Sequence, residues 1–332
     1  MGRPRHRLLV ATEEVNNLKI LVTGGAGFIG CNFVRHMLKE HPEGEIVVLD
    51  KLTYAGRMEN LEDVLAKITF IKGDICDKDA VKKAMEGCEA VVNFAAESHV
   101  DRSIEGPEVF VRTDIFGVFT LLEEGRRTDL KKFIQISTDE VYGSTRSGSF
   151  SETDTLDPSS PYSASKAGGE LLARSYVRTY GMDVAVTRSS NNYGPFQHPE
   201  KLIPRFIVKI LRNESLPIYG KGDNVRDWLH VEDNCRAIDL VLRKSKPGDV
   251  VNIGSGNERT NIDVTKQLLK HMKKPESMIT YVQDRAGHDF RYSLEWDRIK
   301  KMGWVPKVKF EDGVKTTVDW YLANEKWWKP LV

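Results

Sequence analysis

The feature that most constrains the fold is a glycine-rich segment that directly follows the first short apolar run. The segment reads Thr23-Gly-Gly-Ala-Gly-Phe-Ile-Gly30, with Gly24, Gly27 and Gly30 three residues apart. Glycines at this spacing allow a tight turn and let the backbone approach a pyrophosphate, while the helix that begins here offers free N–H groups. Asp50 ends the next apolar run, 20 residues after Gly30, where a carboxylate can accept hydrogen bonds from an adenosine ribose. The segment therefore predicts a dinucleotide-binding unit of strand, helix and strand.

The choice between NAD and NADP depends on the charges beside Asp50. An acidic residue there repels the 2′-phosphate of NADP and favours NAD. Lys51 and Arg57 lie nearby in the sequence and could hold that phosphate, so NADP stays open at this stage. Asp74 and Ile75 follow the third predicted strand, where they are placed to meet the adenine. An ordinary turn at a strand end explains these two residues equally well.

The rest of the first half alternates apolar strand patterns with helix patterns. Strands are predicted at 19–23, 46–50, 69–73, 90–94 and 133–137, with helices near 28–40, 77–86 and 107–126. Continuous apolar strands are typical of a parallel sheet whose two faces are covered by helices. We therefore predict an α/β fold, a Rossmann-type doubly wound parallel sheet with a smaller C-terminal α/β substrate domain. The predicted domains are a flexible tail at 1–17, an NAD-binding domain at 18–190 that segment 225–255 rejoins, and a mainly nucleotide-sugar-binding domain at 191–332.

The composition limits the partners of this chain. With 49 basic and 48 acidic residues, it has no overall field that would attract nucleic acid or an anionic membrane. No apolar run approaches the roughly 20 residues that a membrane span requires. The four cysteines show neither CxxC pairing nor metal-ligand spacing, which is typical of thiols in a reducing cytoplasm. We expect a cytoplasmic protein with no metal, nucleic-acid or membrane partner.

A tyrosine and a lysine stand four residues apart at the start of a predicted helix. Tyr162 and Lys166 follow the turn between Pro158 and Pro161, and the helix is predicted to run to about Tyr180. Residues four apart share a helical face, so the ammonium can sit beside the phenol and lower its pKa from about 10. Such a tyrosine can take a proton from a sugar hydroxyl while a hydride leaves for the nicotinamide. We therefore predict a redox pair at this position.

Two adjacent carboxylates follow the fifth predicted strand. Asp139 and Glu140 lie where strand 133–137 ends, and open α/β sheets bind their ligands at the carboxyl ends of strands. Each charge disfavours the other, so the pKa of one carboxyl should be raised. The pair would then hold one protonated acid and one charged base at neutral pH, which an elimination requires. A solvated acidic turn is the alternative explanation.

Taken together, these motifs resemble the extended short-chain dehydrogenase/reductase superfamily over about 18–304. Within it, Ser137-Thr-Asp-Glu-Val-Tyr-Gly143 is similar to the STDEVYG segment of the dTDP-glucose 4,6-dehydratases. Segments 49–56, 95–103, 188–197, 201–204, 219–228 and 252–256 agree with the same family. Phe290 stands where a second arginine is common in that family, so the choice between dTDP-glucose and UDP-glucose stays open.

The resemblance implies a lyase that forms a 4-keto-6-deoxy sugar from a nucleotide-diphosphate hexose, most commonly on the way to dTDP-rhamnose. By this resemblance, Tyr162 would accept the proton of the C4 hydroxyl. Lys166 would keep the tyrosine ionised and contact the nicotinamide ribose. Thr138 would steady the C4 oxygen. Glu140 would remove the C5 proton, and Asp139 would donate a proton to the departing C6 hydroxyl. NAD would be held tightly and regenerated in each turnover, since the net redox change is zero.

The resemblance also implies two sets of binding residues and an assembly. The cofactor contacts would be Gly24, Gly27, Phe28, Ile29, Gly30, Asp50, Lys51, Leu52, Thr53, Gly56, Asp74, Ile75, Phe94, Ala95, Ala96, Ser98, Thr113, Tyr162, Lys166 and Asn192. The substrate contacts would be Ser98, Thr138, Asn191, Lys201, Leu202, Pro217, Tyr219, Arg226, Asn261 and Arg291. Arginine suits a diphosphate because its planar fork meets phosphate oxygens in pairs. A homodimer would form as helices 107–126 and 162–180 of two subunits make a four-helix bundle.

Other functions are compatible with parts of this pattern. A nucleotide-sugar 4-epimerase or a UDP-glucuronate decarboxylase shares the glycine loop and the tyrosine–lysine pair, but epimerases of the superfamily generally carry small or hydroxyl residues where Asp139 and Glu140 stand. A UDP-glucose 4,6-dehydratase would share both carboxylates. A non-catalytic NAD-binding protein is disfavoured, because a pure binder gains nothing from adjacent carboxylates at a strand end.

Overall fold

The computed structural model describes residues 18–284 and 289–332. The tail predicted at 1–17 lies outside the described residues. The strands are β1 Lys19–Thr23, β2 Glu45–Asp50, β3 Thr69–Lys72, β4 Ala90–Asn93, β5 Lys132–Thr138, β6 Val184–Ser189, β7 Asn191–Tyr193, β8 Leu216–Tyr219, β9 Val225–His230, β10 Val250–Ile253, β11 Glu258–Thr260 and β12 Ile279–Val282. The α-helices are α1 Phe28–Glu40, α2 Lys78–Met85, α3 Val100–Glu105, α4 Pro107–Val111, α5 Val118–Arg127, α6 Pro161–Tyr180, α7 Leu202–Leu211, α8 Val231–Lys244, α9 Asn261–His271, α10 Asp297–Lys301, α11 Phe310–Ala323 and α12 Glu325–Trp328.

Seven strands form one parallel sheet in the order β3-β2-β1-β4-β5-β6-β10. The chain moves outward from β1 to β3 and then returns, so that β4 pairs with the free side of β1. The strand order therefore reverses between β1 and β4, and open α/β sheets bind ligands outside the carboxyl ends of their strands at such a point. This is the Rossmann-type doubly wound sheet that the sequence predicts.

Apolar side chains cover both faces of this sheet. Ile20 and Val22 pack into the layer that contains α1 and α8, whereas Leu21 belongs to the layer that contains α2, α5 and α6. Successive side chains of a strand point to opposite faces, so a fully apolar strand has to be covered on both sides. The strand ends that carry the predicted catalytic residues are thus held by two packed cores.

The helix predicted at 107–126 is interrupted in the structure. A π-helical turn, Arg112–Gly117, separates α4 from α5. It brings the backbone of Asp114 against α6, where a Cβ on Gly169 would stand 2.1 Å from the Asp114 carbonyl oxygen. Glycine at this position lets the two segments pack closely, and α6 is the helix of the predicted tyrosine–lysine pair. Sequence periodicity could not reveal the insertion, because the apolar spacing resumes after it.

The region after β6 builds smaller sheets around a core of its own. One has the order β11-β9-β7 and the other pairs β12 with β8. Phe206 of α7, Leu268 of α9 and Val314 of α11 pack in this second core. Strand β10 instead joins the large sheet, with Asn252 opposite Arg188 of β6. Within the described ranges, no helix is long and apolar enough to cross a membrane.

Candidate active site

A cleft with a volume of about 310 Å³ opens at the carboxyl ends of the large sheet. It is lined by every predicted catalytic residue and, except for Leu52, by every predicted cofactor contact. Of the predicted substrate contacts, it brings in Ser98, Thr138, Asn191 and Lys201. The remaining predicted substrate contacts, which are not part of its lining, are Leu202, Pro217, Tyr219, Arg226, Asn261 and Arg291. The structure therefore gathers all the predicted catalytic residues, all the predicted cofactor contacts except Leu52, and part of the predicted substrate contacts.

The glycine loop leaves room for nothing larger than hydrogen at two of its motif positions. Gly24 has a φ of +66°, and a Cβ there would stand 2.6 Å from the backbone nitrogen of Ala95. A Cβ on Gly30 would stand 2.3 Å from the carbonyl oxygen of Gly24. Such distances are far inside van der Waals contact, so these glycines are required by the backbone itself. The tight turn directs the N-terminus of α1 into the cleft, where a pyrophosphate would meet free N–H groups.

Asp50 is oriented by the loop that surrounds it. Its carboxylate accepts hydrogen bonds from the backbone nitrogens of Ala26, at 2.9 Å, and Leu52, at 2.8 Å. A Cβ on Gly56 would stand 2.6 Å from its Oδ1, so that loop can also close over the carboxylate. Burial raises the pKa of Asp50 from its ordinary value, and the two backbone hydrogen bonds oppose that rise. A carboxylate held this way is positioned to accept ribose hydroxyls.

Lys51 and Arg57, the two cations that could have bound the 2′-phosphate of NADP, have other partners in the structure. Lys51 Nζ lies 2.7 Å from Asp74 Oδ2. Arg57 pairs with Glu59 at 2.9 Å and donates to the carbonyl oxygen of Trp327 at 3.0 Å. Both cations are therefore already paired with the protein, while Asp50 would repel a 2′-phosphate. The residues around the adenosine end of the cleft fit NAD.

Asp139 and Glu140 lie in a 3₁₀ turn, Asp139–Tyr142, directly after β5. The Thr138 hydroxyl donates to Asp139 Oδ1 at 3.1 Å and accepts from the Glu140 backbone nitrogen at 3.2 Å. Asp139 is 2% exposed, and its pKa is raised to about 8, first by burial and second by the charge of Glu140. This agrees with the expectation that one of the two pKa values is raised, and it leaves the Asp139 carboxyl mainly protonated at neutral pH.

Tyr162 and Lys166 occupy the first turns of α6, which Ser160 caps through a reciprocal pair of hydrogen bonds with Ser163. The Lys166 ammonium is buried and donates to the carbonyl oxygen of Ile136 at 2.7 Å. The pKa of Tyr162 is raised well above its ordinary value by burial, and further by the charges of Glu140, Asp114 and Asp139. The prediction that Lys166 lowers this pKa is therefore wrong for this structure, because burial and three carboxylates determine the shift.

Several polar atoms in the cleft wall are buried without a partner in residues 18–284 and 289–332. They are Ser137 Oγ, Asp139 Oδ2, Ser190 Oγ, Asn191 Oδ1, Asn192 Oδ1 and Gln197 Oε1. Buried polar groups in folded proteins almost always have a hydrogen-bond partner. A row of unpaired donors and acceptors beside the catalytic turn therefore fits a polar ligand, such as a nicotinamide riboside together with a sugar.

The two arginines predicted to hold the diphosphate are already engaged. Arg226 donates to the carbonyl oxygens of Asp289, at 3.0 Å, and Phe290, at 3.3 Å. Arg291 forms a two-point ion pair with Glu258, with both N–O distances at 2.7 Å. A backbone bridge pairs the segments of these arginines, since Val225 lies opposite Arg291. The cations are thus near each other but bonded to the protein.

Sequence reasoning missed a group at the mouth of the cleft. The Tyr54 hydroxyl donates to Glu200 Oε1 at 3.0 Å, and the Arg102 guanidinium stacks 3.7 Å above the Tyr54 ring. These three residues, which we call the mouth network, join helix α3 to two loops that are far apart in the sequence. Tyr54 and Glu200 both line the cleft. No local sequence pattern predicts such a contact, although Tyr54 lies inside segment 49–56, which resembles the dehydratase family.

The sheet, the glycine loop and the buried acid define a dinucleotide-dependent enzyme of the Rossmann type. The family model of the GDP-mannose 4,6 dehydratases matches residues 21–317, and the chain belongs to this family. It is 50% identical to the low-salt glycan biosynthesis protein Agl12 of Haloferax volcanii, over 93% of this chain and 100% of that protein. It is 49% identical to a dTDP-glucose 4,6-dehydratase of Streptomyces niveus, over 95% of this chain and 96% of that protein. The structure of DesIV, a dTDP-glucose 4,6-dehydratase of Streptomyces venezuelae determined with NAD and dTDP bound, matches with a TM-score of 0.93 at 49% identity, covering 95% of this chain and 100% of that one.

Proposed function

We propose that this protein is an NAD-dependent dTDP-glucose 4,6-dehydratase, a hydro-lyase that converts dTDP-glucose to dTDP-4-keto-6-deoxyglucose and water. The observation that carries the proposal is the turn after β5. There a buried carboxyl with a pKa of about 8 stands beside a second carboxylate, in the same cleft as Tyr162 and Lys166. A protonated acid next to a charged base is what an elimination adjacent to a ketone needs.

Tyr162 and Lys166 carry the redox half of the reaction. NAD, when bound, takes a hydride from C4 of the sugar and returns it to C6. Tyr162 accepts the C4 hydroxyl proton, and Thr138 donates a hydrogen bond to the C4 oxygen. Because burial raises the pKa of Tyr162, the phenol becomes a base only when positive charge approaches it. Lys166, four residues further along the same helix, supplies that charge when its ammonium leaves the Ile136 carbonyl.

Asp139 and Glu140 carry the elimination. The 4-ketone acidifies the C5 proton, which Glu140 removes, and Asp139 gives its proton to the C6 hydroxyl as the C6–O bond breaks and water leaves. Glu140 later returns the proton to C5, and the proton that Tyr162 took from the C4 hydroxyl is released to solvent while Asp139 takes up one in its place. Net redox change is zero. Placing acid, base and redox pair around one sugar contributes the orientation effect, which can lower a barrier by about 7–11 kcal/mol.

Substrate binding requires the two arginines to exchange partners. We propose that Arg226, Arg291 and Lys201 receive the diphosphate. Asn191, Pro217, Tyr219 and Asn261 would surround the nucleotide. The backbone bridge between Val225 and Arg291 supports this placement, because it keeps both guanidinium groups on adjacent segments.

The predicted homodimer is supported by apolar side chains on the surface of α4, α6 and the π-helical turn. Val109, Val111, Phe116 and Leu171 are 42%, 52%, 43% and 52% exposed. Exposed apolar clusters of this kind mark protein interfaces. We propose that the four-helix bundle of two subunits covers them.

The cytoplasmic location and the division into domains at about residue 190 stay predictions.

The competing functions differ in what they require of the turn after β5. A 4-epimerase or a UDP-glucuronate decarboxylase has no use for a buried proton donor beside Glu140. A UDP-glucose 4,6-dehydratase would use the same turn, so only the nucleotide pocket separates it from the proposal.

Purified protein should therefore be incubated with dTDP-glucose or UDP-glucose without added cofactor. Alkali then develops the absorbance of 4-keto-6-deoxy sugars.

A strong signal from dTDP-glucose that collapses in Glu140→Gln supports the proposal and means that NAD co-purifies. A preference for UDP-glucose keeps the chemistry and changes the substrate. The absence of a signal from both sugars, with NAD supplied, contradicts the dehydratase assignment.

A further inference from the structure

A fully buried ion pair lies beneath the cleft, outside the residues assigned so far. Arg188 of β6 is 1% exposed, and the Glu170 side chain of α6 is 0% exposed. Arg188 Nε donates to Glu170 Oε2 at 2.9 Å, and its Nη2 donates to the other carboxylate oxygen. Taking both charges out of water costs several kcal/mol per ion, which close pairing has to offset. Such a pair is weak evidence for stability, so it invites another explanation.

The same guanidinium extends the network to the catalytic turn. Arg188 Nη1 donates to the hydroxyl of Tyr142, the last residue of the 3₁₀ turn that begins at Asp139. The Tyr142 hydroxyl in turn donates to Asn252 Oδ1 of β10 at 2.8 Å. The Arg188 guanidinium also stands 4.6 Å above the Tyr142 ring. The phenol is therefore fixed from both of its sides by buried groups.

The two ends of this network carry different parts of the proposed chemistry. Glu170 lies four residues after Lys166, so it is fixed on the face of α6 that also presents the redox pair. Tyr142 closes the short turn that carries Asp139 and Glu140. Arg188 joins the two from the strand between them, since β6 pairs with β5 at Ser137, just before the turn.

We propose that Tyr142, Arg188 and Glu170 are positioning residues, which hold the acid–base turn in register with the redox helix. The inference rests on the proposed function, because it assigns the turn to elimination and the helix to C4 oxidation. Both steps act on one sugar, so the turn and the helix have to reach adjacent carbons in one binding pose. A displacement of about 1 Å can cost roughly a hundredfold in rate. The buried pair supplies a fixed distance that the loop after β5 alone would not.

Tyr142→Phe tests this directly, because it removes one hydroxyl and keeps the ring. The turn then loses its hydrogen bonds to Arg188 and Asn252 but keeps the contact of the ring with the guanidinium, whereas Tyr162 and Lys166 stay on an intact helix. In single turnover with dTDP-glucose, we expect C4 oxidation to proceed and elimination to slow by roughly ten- to a hundredfold. Reduced cofactor should therefore accumulate and decay slowly, followed by its near-ultraviolet absorbance. NAD content and the urea midpoint are measured on the same samples.

Tyr193→Phe is the matched control, because it also removes a buried tyrosine hydroxyl, which contacts the Phe310 carbonyl at 3.4 Å in the second core. It should show no excess of reduced cofactor. Glu170→Gln keeps the side-chain shape but weakens the pair with Arg188, and a smaller excess is expected. If Tyr142→Phe and Glu170→Gln slow oxidation and elimination equally, or only lower the urea midpoint, the positioning role is wrong. If the unsubstituted protein does not convert dTDP-glucose, the proposed function fails instead.

Discussion

The two sides of the cleft are prepared for their ligands to different degrees. On the cofactor side, Gly24 and Gly30 already form the tight turn, and Asp50 is held by two backbone nitrogens. On the proposed substrate side, Arg226 and Arg291, which lie outside the lining of the cleft, are bonded to backbone carbonyls and to Glu258. One side is shaped by the backbone, and the other depends on side chains that are paired with the protein.

From this difference we infer which side chains change their bonding partners in each catalytic cycle. A cofactor regenerated in every cycle is best held by a rigid site, because preorganisation removes the ordering cost of binding. A substrate that enters and leaves each time can be met by side chains that change partners. We therefore expect substitutions on the cofactor side to change NAD content, and substitutions on the substrate side to change KM.

The largest effect is expected at the point where the two sides meet. Tyr162→Phe removes the proton acceptor for the C4 hydroxyl, and general-base catalysis contributes about 10²–10⁴-fold. The initial rate with dTDP-glucose should fall by about that factor, with NAD content unchanged. Tyr281→Phe, at a tyrosine that is 61% exposed, is the control and should keep full activity. A Tyr162→Phe enzyme that retains more than about a tenth of the rate contradicts the assignment.

On the cofactor side, Gly30→Ala should remove bound NAD. Its Cβ would overlap the Gly24 carbonyl oxygen, and overpacking of this kind costs about 1–3 kcal/mol, so NAD affinity should fall roughly tenfold or more. Gly106→Ala is the matched control, because the nearest atom to its Cβ is 4.0 Å away. NAD released by acid from the purified proteins is the measurement. Equal NAD content in both variants would mean that the loop tolerates the change.

On the substrate side, Arg226→Lys should raise KM without loss of NAD. Lysine keeps the charge but not the planar fork, and losing one charge-assisted hydrogen bond of about 1.5 kcal/mol corresponds to roughly tenfold in KM. Arg259, opposite Arg226 in the β9–β11 pair and 36% exposed, provides the control Arg259→Lys. A fall in kcat at unchanged KM would contradict a binding role for Arg226 and indicate a role in the chemical step.

The pH profile tests the acid of the turn. The raised pKa of Asp139 means that its proton is present below about pH 8 and lost as the pH rises through that value. kcat should therefore fall above pH 8, by about tenfold per pH unit when elimination limits the rate. Asp139→Asn should be slow at every pH and lack this limb. A limb that persists in Asp139→Asn belongs to another group.

The smallest effect is expected where the mouth network joins the two sides. Glu200→Gln weakens its hydrogen bond with Tyr54, which is worth about 1 kcal/mol. Exchange of bound NAD for added NAD, followed by mass spectrometry of isotopically labelled cofactor, should quicken by roughly fivefold. Glu214→Gln, at an exposed ion pair with Lys209, is the control. Unchanged exchange in Glu200→Gln would limit the network to a structural role.

The cofactor side was predictable from the sequence because its determinants are contiguous. A turn that only glycine can make, followed by an acidic strand end, has the same meaning in any open α/β sheet. A raised pKa for one of the two carboxyls was predictable for a similar reason, since each of two adjacent carboxylates destabilises the charge of the other. Burial, which is the larger cause at Asp139, became evident only in the structure. The π-helical turn was not predictable, because it is an insertion within an unbroken apolar spacing.

Long-range pairings set the limit of prediction. The burial of Tyr162 and the three carboxylates around it arise from contacts between segments, and they reversed the expected direction of the tyrosine pKa. Arg226 bonds to the Asp289 carbonyl and Arg291 to Glu258, and both partners lie more than thirty residues away in the sequence. A motif gives the residue types of a site, whereas the charge state of each depends on neighbours that only the fold brings together.

The central claim is that one sugar is oxidised at C4 and reduced at C6 within a single cleft. The most direct test is to incubate the purified protein, without added cofactor, with dTDP-glucose deuterated at C4. We predict that the deuterium appears at C6 of the 4-keto-6-deoxy product, as measured by mass spectrometry and NMR. Deuterium that stays at C4, or a product whose C6 hydrogen comes from the solvent, would contradict it.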